Sequence, residues 1–293
     1  MSETSLTVLA PAKINLFLHV DKVQPDDYHP LESLVAFADV GDRVKVEHAD
    51  ALKLTIGGPF GGMLSGEGDN LILKGLRALG EAAGIGLPPV SVFLDKRLPI
   101  AAGLGGGSSD AGAAIRATNE LLGLGLDQAA LEEVSRSVGA DGPMCLRTRT
   151  AYASGVGEVL EDMPRLPTLH AVLLNPGLPS PTGAVYRAYD DNPQGQADRP
   201  SEPQDWSFDT VIEWLSAQRN DLEAPALAVT PDIAEALEIM ALVPGCRLAR
   251  MSGSGATVFG LFETRDEAIG ATLMLDRVDW WVRPAILGNN AAS

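Results

Sequence analysis

A glycine-rich segment constrains this chain most: Pro99, Ile100, Ala101, Ala102, Gly103, Leu104, Gly105, Gly106, Gly107, Ser108, Ser109 and Asp110 follow one another. Before it, Val90, Val92 and Leu94 alternate with Ser91, Phe93 and Asp95, which predicts a strand. After it, Ala111, Ile115, Thr118 and Leu122 recur at helical spacing. A loop therefore runs from a strand into the start of a helix. Glycines let backbone N–H groups converge on a ligand and let that ligand approach closely. The helix start adds roughly half a positive charge. Together they predict an anion site, suited to the phosphates of a nucleotide. Ser108, Ser109 and Asp110 would equally serve as ordinary helix caps, and on pattern alone both readings stand. No Lys follows the glycines, so this is not a Walker A loop. The dinucleotide spacing Gly-x-Gly-x-x-Gly also fails, because its third glycine would fall on Ser108 or Asp110.

The 293 residues are 45% hydrophobic, enough for one large or two medium domains. A net charge of -17 argues against nucleic acid or an anionic membrane as partner. Anionic small molecules then need local positive charge. Lys96-Arg97 reads either as a small basic island before the loop or as a solvated strand end. Cys145 and Cys246 lack metal-ligand spacing and are expected as reduced core thiols. The first residues carry no basic leader, and no apolar run is long enough to span a bilayer. A cytoplasmic protein is expected.

Strands are predicted at 6–20, 42–56, 151–159, 170–174, 247–251, 256–262 and 281–287. A Gly/Pro-rich loop covers 57–68, and Asp69-Asn70 should cap a helix carrying Ile72, Leu76, Leu79 and Ala83 on one stripe. Asp127 should cap another, with Leu131, Val134 and Val138 inward and Gly139 at its end. Further helices are expected near 208–219, 231–241 and 265–277, after a flexible surface loop at 190–205. Strands and helices mix without a βαβ cadence, which predicts α+β, with a boundary near 160–168.

Other constellations carry chemistry. Lys13 and Asn15 share one face of the first strand, opposite Ile14 and Leu16. Tyr28 and His29, within the turn Asp26–Pro30, could stack on a base and read its edge, or merely anchor a loop. Asp141 lies in a tight turn, where Asp is common for turn reasons alone. Ser252-Gly253-Ser254-Gly255 is a second Gly-rich turn, and could close over a ligand or be a plain hairpin. It is not a nucleophile elbow, because Ser252 and Ala256 stand where flanking glycines would be.

Three segments in order resemble the GHMP kinase family, named for galactokinase, homoserine kinase, mevalonate kinase and phosphomevalonate kinase. They are Pro11–Leu16, Pro99–Ser109 and Met251–Ala256. The resemblance covers nearly the whole chain. Tyr28-His29, Asp95–Pro99, Gly139–Asp141, Asn175–Gly177, Pro181-Thr182 and Asn220–Glu223 are similar to the branch that acts on a cytidine diphosphate ester. Two departures stand out. Asp27 replaces a glycine of the usual Asp-Gly-Tyr-His, and Gly142 and Met144 replace the Val and Phe of Gly-Ala-Asp-Val-Pro-Phe.

The resemblance implies an N-terminal ATP-binding α/β domain at 1–163 and a C-terminal ferredoxin-like α+β domain at 164–293, with the active site in the cleft between them. It implies transfer of the γ-phosphoryl of ATP to the 2-hydroxyl of a methylerythritol moiety in isoprenoid-precursor synthesis. Asp141 would be the base, and Lys13 would hold the acceptor hydroxyl or stabilise developing charge. A carboxylate is a weak base for an alcohol, which is tolerable because phosphoryl transfer asks mainly for positioning and electrostatics. Pro99 to Ser109 would wrap the triphosphate, with Ser108 or Ser109 near a Mg²⁺ that arrives with ATP rather than in a protein cage. Asn70, Leu71 and Lys96 would lie on the adenine side. Tyr28 and Tyr186 would sandwich the cytosine, His29 would read its edge, and Asn15 and Thr182 would line the substrate groove. The partner expected is this small cytidine diphosphate molecule alone, with the chain a monomer or weak homodimer.

Overall fold

Two unusually long strands organise the chain: β1 (Ser5–Val20) and β2 (Leu31–His48). The computed structural model describes residues 4–25, 27–64, 70–275 and 279–288. They divide into two compact units. The first comprises 1–12, 41–100 and 105–148, the second 13–40, 101–104 and 149–293. β1 and β2 each contribute one end to each unit. The chain thus passes between units several times, whereas a single division after residue 163 was expected.

In the first unit, β3 (Lys53–Gly57) pairs parallel with β4 (Val90–Asp95). The later half of β2 pairs antiparallel with β4, Val44 opposite Leu94 and Val46 opposite Val92. Four helices accompany them: α1 (Leu71–Ala82), α2 (Gly106–Leu121), α3 (Gln128–Arg136) and α4 (Gly142–Arg147). The alternation read in β4 is physical: Val90, Val92 and Leu94 are buried with Val44, Ile72 and Ile115, while Phe93 is exposed. Asn70 caps α1 by accepting from Ile72 N at 2.8 Å, and Asp127 caps α3 by accepting from Ala130 N at 2.9 Å. Asp69, its expected companion, lies outside the described residues.

In the second unit, the earlier half of β2 pairs with β5 (Ala151–Gly155), which pairs with β6 (Val159–Asp162). Beside β2 run β10 (Trp281–Leu287), β7 (Leu169–Asn175), β9 (Val258–Phe262) and β8 (Leu248–Met251), in that order and all antiparallel. Five helices belong here: α5 (Thr182–Asp190), α6 (Phe208–Ser216), α7 (Glu223–Val229), α8 (Ile233–Leu242) and α9 (Arg265–Met274). Val172, Leu174, Tyr189, Ile233, Met240 and Phe262 form its core.

Several expectations are corrected. The run 42–56 is two strands, and β2 begins at Leu31 because Leu34 to Ala38 are fully buried. Such a continuous apolar run has no alternation to betray it. Helices α4, α5 and α7 were not foreseen; α4 has Pro143 and α7 has Pro225 near its start, where the missing N–H is harmless. Helix α3 ends at Arg136, before Gly139. The described part of the 57–68 loop holds a 3₁₀ turn at Gly61–Leu64. The 190–205 stretch beyond α5 has no helix or strand, yet it is pinned: Asp198 O lies 2.8 Å from His19 Nδ1, and Arg199 covers the Tyr152 ring at 3.8 Å and bonds Glu161 at 2.7 Å. Among the described residues no helix is long and apolar enough to cross a membrane. Among the described residues Cys145 and Cys246 form no disulfide.

Candidate active site

The glycine loop is held by its carbonyls. Ser180 N donates to Ala101 O, Thr257 N to Ala102 O, Ser252 Oγ to Gly103 O and Lys13 N to Leu104 O, at 2.8–3.3 Å. Positive φ recurs at Ala101 (52°), Gly103 (72°) and Gly105 (60°). That alternation is the geometry that turns successive amides toward an anion. A Cβ on Gly103 would sit 2.2 Å from Ser252 O, so only glycine fits there. Gly105 then occupies the N-cap of α2 without a side chain to cap it. The first-turn amides at Gly106, Gly107 and Ser108 have no intrahelical acceptor and suit phosphate oxygens. Ser108 is half-buried on this turn and Ser109 is fully buried, its Oγ without a partner among the described residues. Leu71 flanks the turn, 3.3 Å from where a Gly107 Cβ would be.

Beneath this helix start lies a buried charge triad. Lys96 Nζ donates to Asp42 Oδ2 at 2.6 Å and to Asp110 Oδ2 at 2.7 Å, with all three side chains at most 4% exposed. Asp42 Oδ1 also accepts from the backbone N–H of Arg97 and Leu98, at 2.5 and 2.8 Å. Asp110 Oδ1 has no partner among the described residues. Burial, with Asp42 nearby, outweighs Lys96 and raises the Asp110 carboxyl to about 8. Burial also opposes the Lys96 charge, but Asp110 and Asp42 together hold the ammonium above its ordinary pKa. Arg97, in turn, bonds Asp95 at 2.7 Å. The basic-island reading of Lys96-Arg97 does not hold, since both cations are paired with carboxylates, and the solvated strand-end reading holds for Arg97, which is exposed, but not for buried Lys96. The positive character of this helix start comes from its backbone amides and the helix dipole.

Asp141 stands at the start of α4, half-buried, and Cys145 N donates to its carbonyl at 3.0 Å. Its neighbour Gly142 has no alternative: a Cβ would fall 2.0 Å from Ser135 O. The valine expected from the family pattern would collide with that carbonyl.

In the second unit, Lys13 is buried on β1, 8% exposed. Asn15 N donates to Ser252 Oγ at 3.1 Å and Asn15 Nδ2 to Ser33 Oγ at 2.8 Å. Asn15 Oδ1 is buried with no partner among the described residues. Thr182 Oγ1 and Ser254 Oγ share a hydrogen at 2.9 Å, and Ser180 Oγ donates to Ser254 O at 2.6 Å. Asn220 Nδ2 donates to Met251 O and Gly253 O. The Ser252–Gly255 turn is thus the hub that links Asn15, Gly103 and Thr182, more than a plain hairpin. The His29 ring lies 4.8 Å from Tyr186 and 5.9 Å from Tyr189, and its Nε2 is 2.7 Å from Asp190 Oδ1. Tyr28 is 58% exposed.

Family models for the GHMP kinases N terminal domain and the GHMP kinases C terminal domain match residues 70–148 and 207–277. A 4-diphosphocytidyl-2-C-methyl-D-erythritol kinase from Caulobacter vibrioides is 50% identical over 95% of this chain and 98% of its own length.

The chain belongs to the GHMP kinases.

The enzyme of the same name from Methylobacterium radiotolerans is 48% identical over 97% of this GHMP kinase and 99% of its own length. A crystal structure of 4-(cytidine 5'-diphospho)-2C-methyl-D-erythritol kinase superposes with a TM-score of 0.79 at 36% identity, covering 97% of this chain and 99% of that one. Homoserine kinase from Cytophaga hutchinsonii shares the fold at 17% identity, TM-score 0.69, over 98% of this chain and 95% of its own. The two-domain GHMP kinase fold expected from sequence is therefore present. Asp42, Asp110, Ser254 and Asp190 were absent from the expected site. Asp42 is 54 residues from Lys96 and Asp190 is 161 from His29, so no local spacing could link them. Asp190 closes α5, where the dipole disfavours an acid, but that helix was itself not foreseen, so the signal shows only in the structure.

Proposed function

We propose that this GHMP kinase transfers the γ-phosphoryl of ATP to the 2-hydroxyl of 4-diphosphocytidyl-2-C-methyl-D-erythritol in the cytoplasm. The observation that carries the reading is near-full-length 50% identity with a kinase of that name. The site residues agree with it chemically. A base-sized aromatic cluster at His29 and Tyr186 serves a cytidine substrate and is superfluous for homoserine or mevalonate.

In this reading the acceptor oxygen bonds to the γ-phosphorus, the bond from that phosphorus to the bridging oxygen breaks, and ADP departs. Asp141 takes the hydroxyl proton. Lys13 supplies positive charge to the acceptor oxygen as it loses that proton. Pro99 to Ser109 wraps the triphosphate with backbone amides. Asn70 and Leu71 line the adenine side, whereas the Lys96 ammonium is committed to Asp42 and Asp110. Mg²⁺ carried by ATP would offset phosphate charge, and the Ser108 hydroxyl on the first turn of α2 is the group suited to hold it. Asn15 and Thr182 hold the substrate's hydroxyls, and Tyr28 and Tyr186 flank the cytosine.

The test is ADP release with Mg-ATP and this acceptor, beside homoserine and mevalonate. Turnover with the cytidine compound alone is expected, and turnover with homoserine or mevalonate instead overturns the substrate. Asp141→Asn should cut kcat by about 10²–10⁴-fold with ATP binding retained. Survival of turnover in that variant removes Asp141 as base.

A further inference from the structure

The His29–Asp190 pair says more than that an imidazole lies near a base. Asp190 is the last residue of α5, where the helix dipole disfavours a carboxylate. It stays there facing an imidazole 161 residues away, with Oδ1 at 2.7 Å from Nε2. The His29 side chain is 9% exposed and is fixed against Tyr186 and Tyr189. An ionised carboxylate can only accept a hydrogen bond, so the Nε2 it faces carries the hydrogen. In a neutral ring the other nitrogen, Nδ1, is then left with a lone pair and no hydrogen.

We propose that Asp190 is a specificity-determining residue: by holding His29 as the Nε2–H tautomer it makes Nδ1 an acceptor, which selects the 4-amino group of cytosine over the 4-oxo group of uracil. This rests on the reading of the acceptor as a cytidine diphosphate ester. Cytosine's amine gives Nδ1 a hydrogen. Uracil's oxygen brings a second lone pair against it and leaves both groups unpaired. Sites built on such a hydrogen bond reject the wrong partner far better than sites that merely fit a shape. Tyr186 adds stacking, which pyrimidines share, so the discrimination falls on His29 and Asp190.

The experiment is calorimetric titration of the full chain with CDP and with UDP, alongside turnover of the cytidine acceptor. The wild type should bind CDP at least about tenfold more tightly than UDP. Asp190→Ala frees the ring to adopt either tautomer, and should lower that ratio about tenfold while leaving the KM for ATP unchanged. Asp190→Asn keeps an acceptor oxygen and should retain most of the ratio. Nitrogen-15 spectra of histidine-labelled protein add a direct readout. Among four histidines, the His29 signals, assigned with His29→Gln, should show a protonated Nε2 and a bare Nδ1. Equal loss of CDP and UDP binding in Asp190→Ala, or a bare Nε2, overturns the role of Asp190. A wild type that neither binds CDP nor turns over the cytidine acceptor overturns the substrate reading instead.

Discussion

The underside of the helix start after the glycine loop and the surroundings of His29 both place carboxylates against a nitrogen base, yet they are built in opposite ways. Asp42, Lys96 and Asp110 are almost wholly buried and bond each other and the backbone. His29 and Asp190 are partly open to water, with Asp190 35% exposed, and the ring rests on aromatics. Buried charges are costly to desolvate and cannot be left unpaired, so the first arrangement fixes geometry at the expense of tolerance. A carboxylate at the surface fixes a proton on its neighbour with little cost to the fold. One region sets the shape of the helix start, and the other, in the reading proposed above, sets what a ligand's edge must offer.

The comparison breaks if the triad can be cut without consequence. Asp42→Asn removes the charge facing Lys96 and weakens the cradle for two backbone amides. It should cost about 3–5 kcal/mol, read from the urea midpoint. An unchanged midpoint would mean that the buried triad carries no structural weight. Tyr186→Ala should behave in the contrary way, raising the KM for the cytidine acceptor about tenfold, since stacking is worth roughly 1–3 kcal/mol per base. Its melting temperature should fall only in step with the packing Tyr186 gives the second unit's core, its KM for ATP should scarcely move, and a parallel rise in the KM for ATP would sink the assignment of Tyr186 to the base.

Within the triad the two acids should differ. Asp42 has donors on both oxygens, whereas Asp110 has one oxygen without a partner and a carboxyl raised to about 8. A folded-state pKa above the unfolded value means that the folded protein holds the proton more tightly. The stabilisation this gives is full below the unfolded pKa near 3.8 and is lost as pH rises toward 8. Asp110→Asn cannot ionise and should lack this loss. Melting curves from pH 5 to 8.5 should show the wild type falling relative to the variant. Parallel curves would place an ionised Asp110 in the folded protein throughout.

How much of this was legible in the sequence depended on whether the cause was local. The strand, glycine loop and helix from Val90 to Leu122 were readable because alternation, glycine and helical spacing are local signals. So were the caps Asn70 and Asp127. The role of Lys96 was not, because its partners lie 54 and 14 residues away and turn an apparent cation into a neutralised one. Asp190 was hidden by distance in the same way. Gly142 read only as a departure from the valine of the family pattern, while the Ser135 carbonyl that forbids any side chain there could be seen only in three dimensions.

Asp27 offers the smallest effect and the most exacting comparison. It stands where the family pattern has glycine, and its φ is 65°, in the left-handed region that favours glycine. The turn is closed by Gln24 N donating to Tyr28 O at 2.8 Å and Asp27 N donating to Gln24 O at 3.0 Å, so the backbone cannot relax without losing these bonds. Asp tolerates this region better than most residues, which keeps the strain small. Asp27→Gly relieves it but gives the unfolded chain more freedom, an opposing term of similar size. The net gain should be about 0.5 kcal/mol, visible as a slightly higher urea midpoint. Tyr28 and His29 follow directly, so the KM for the cytidine acceptor reports whether the turn's shape depends on that side chain. An unchanged KM with a raised midpoint would show that the backbone bonds alone hold the turn. A lower midpoint would mean that the Asp27 carboxylate makes a contact worth more than the strain it causes.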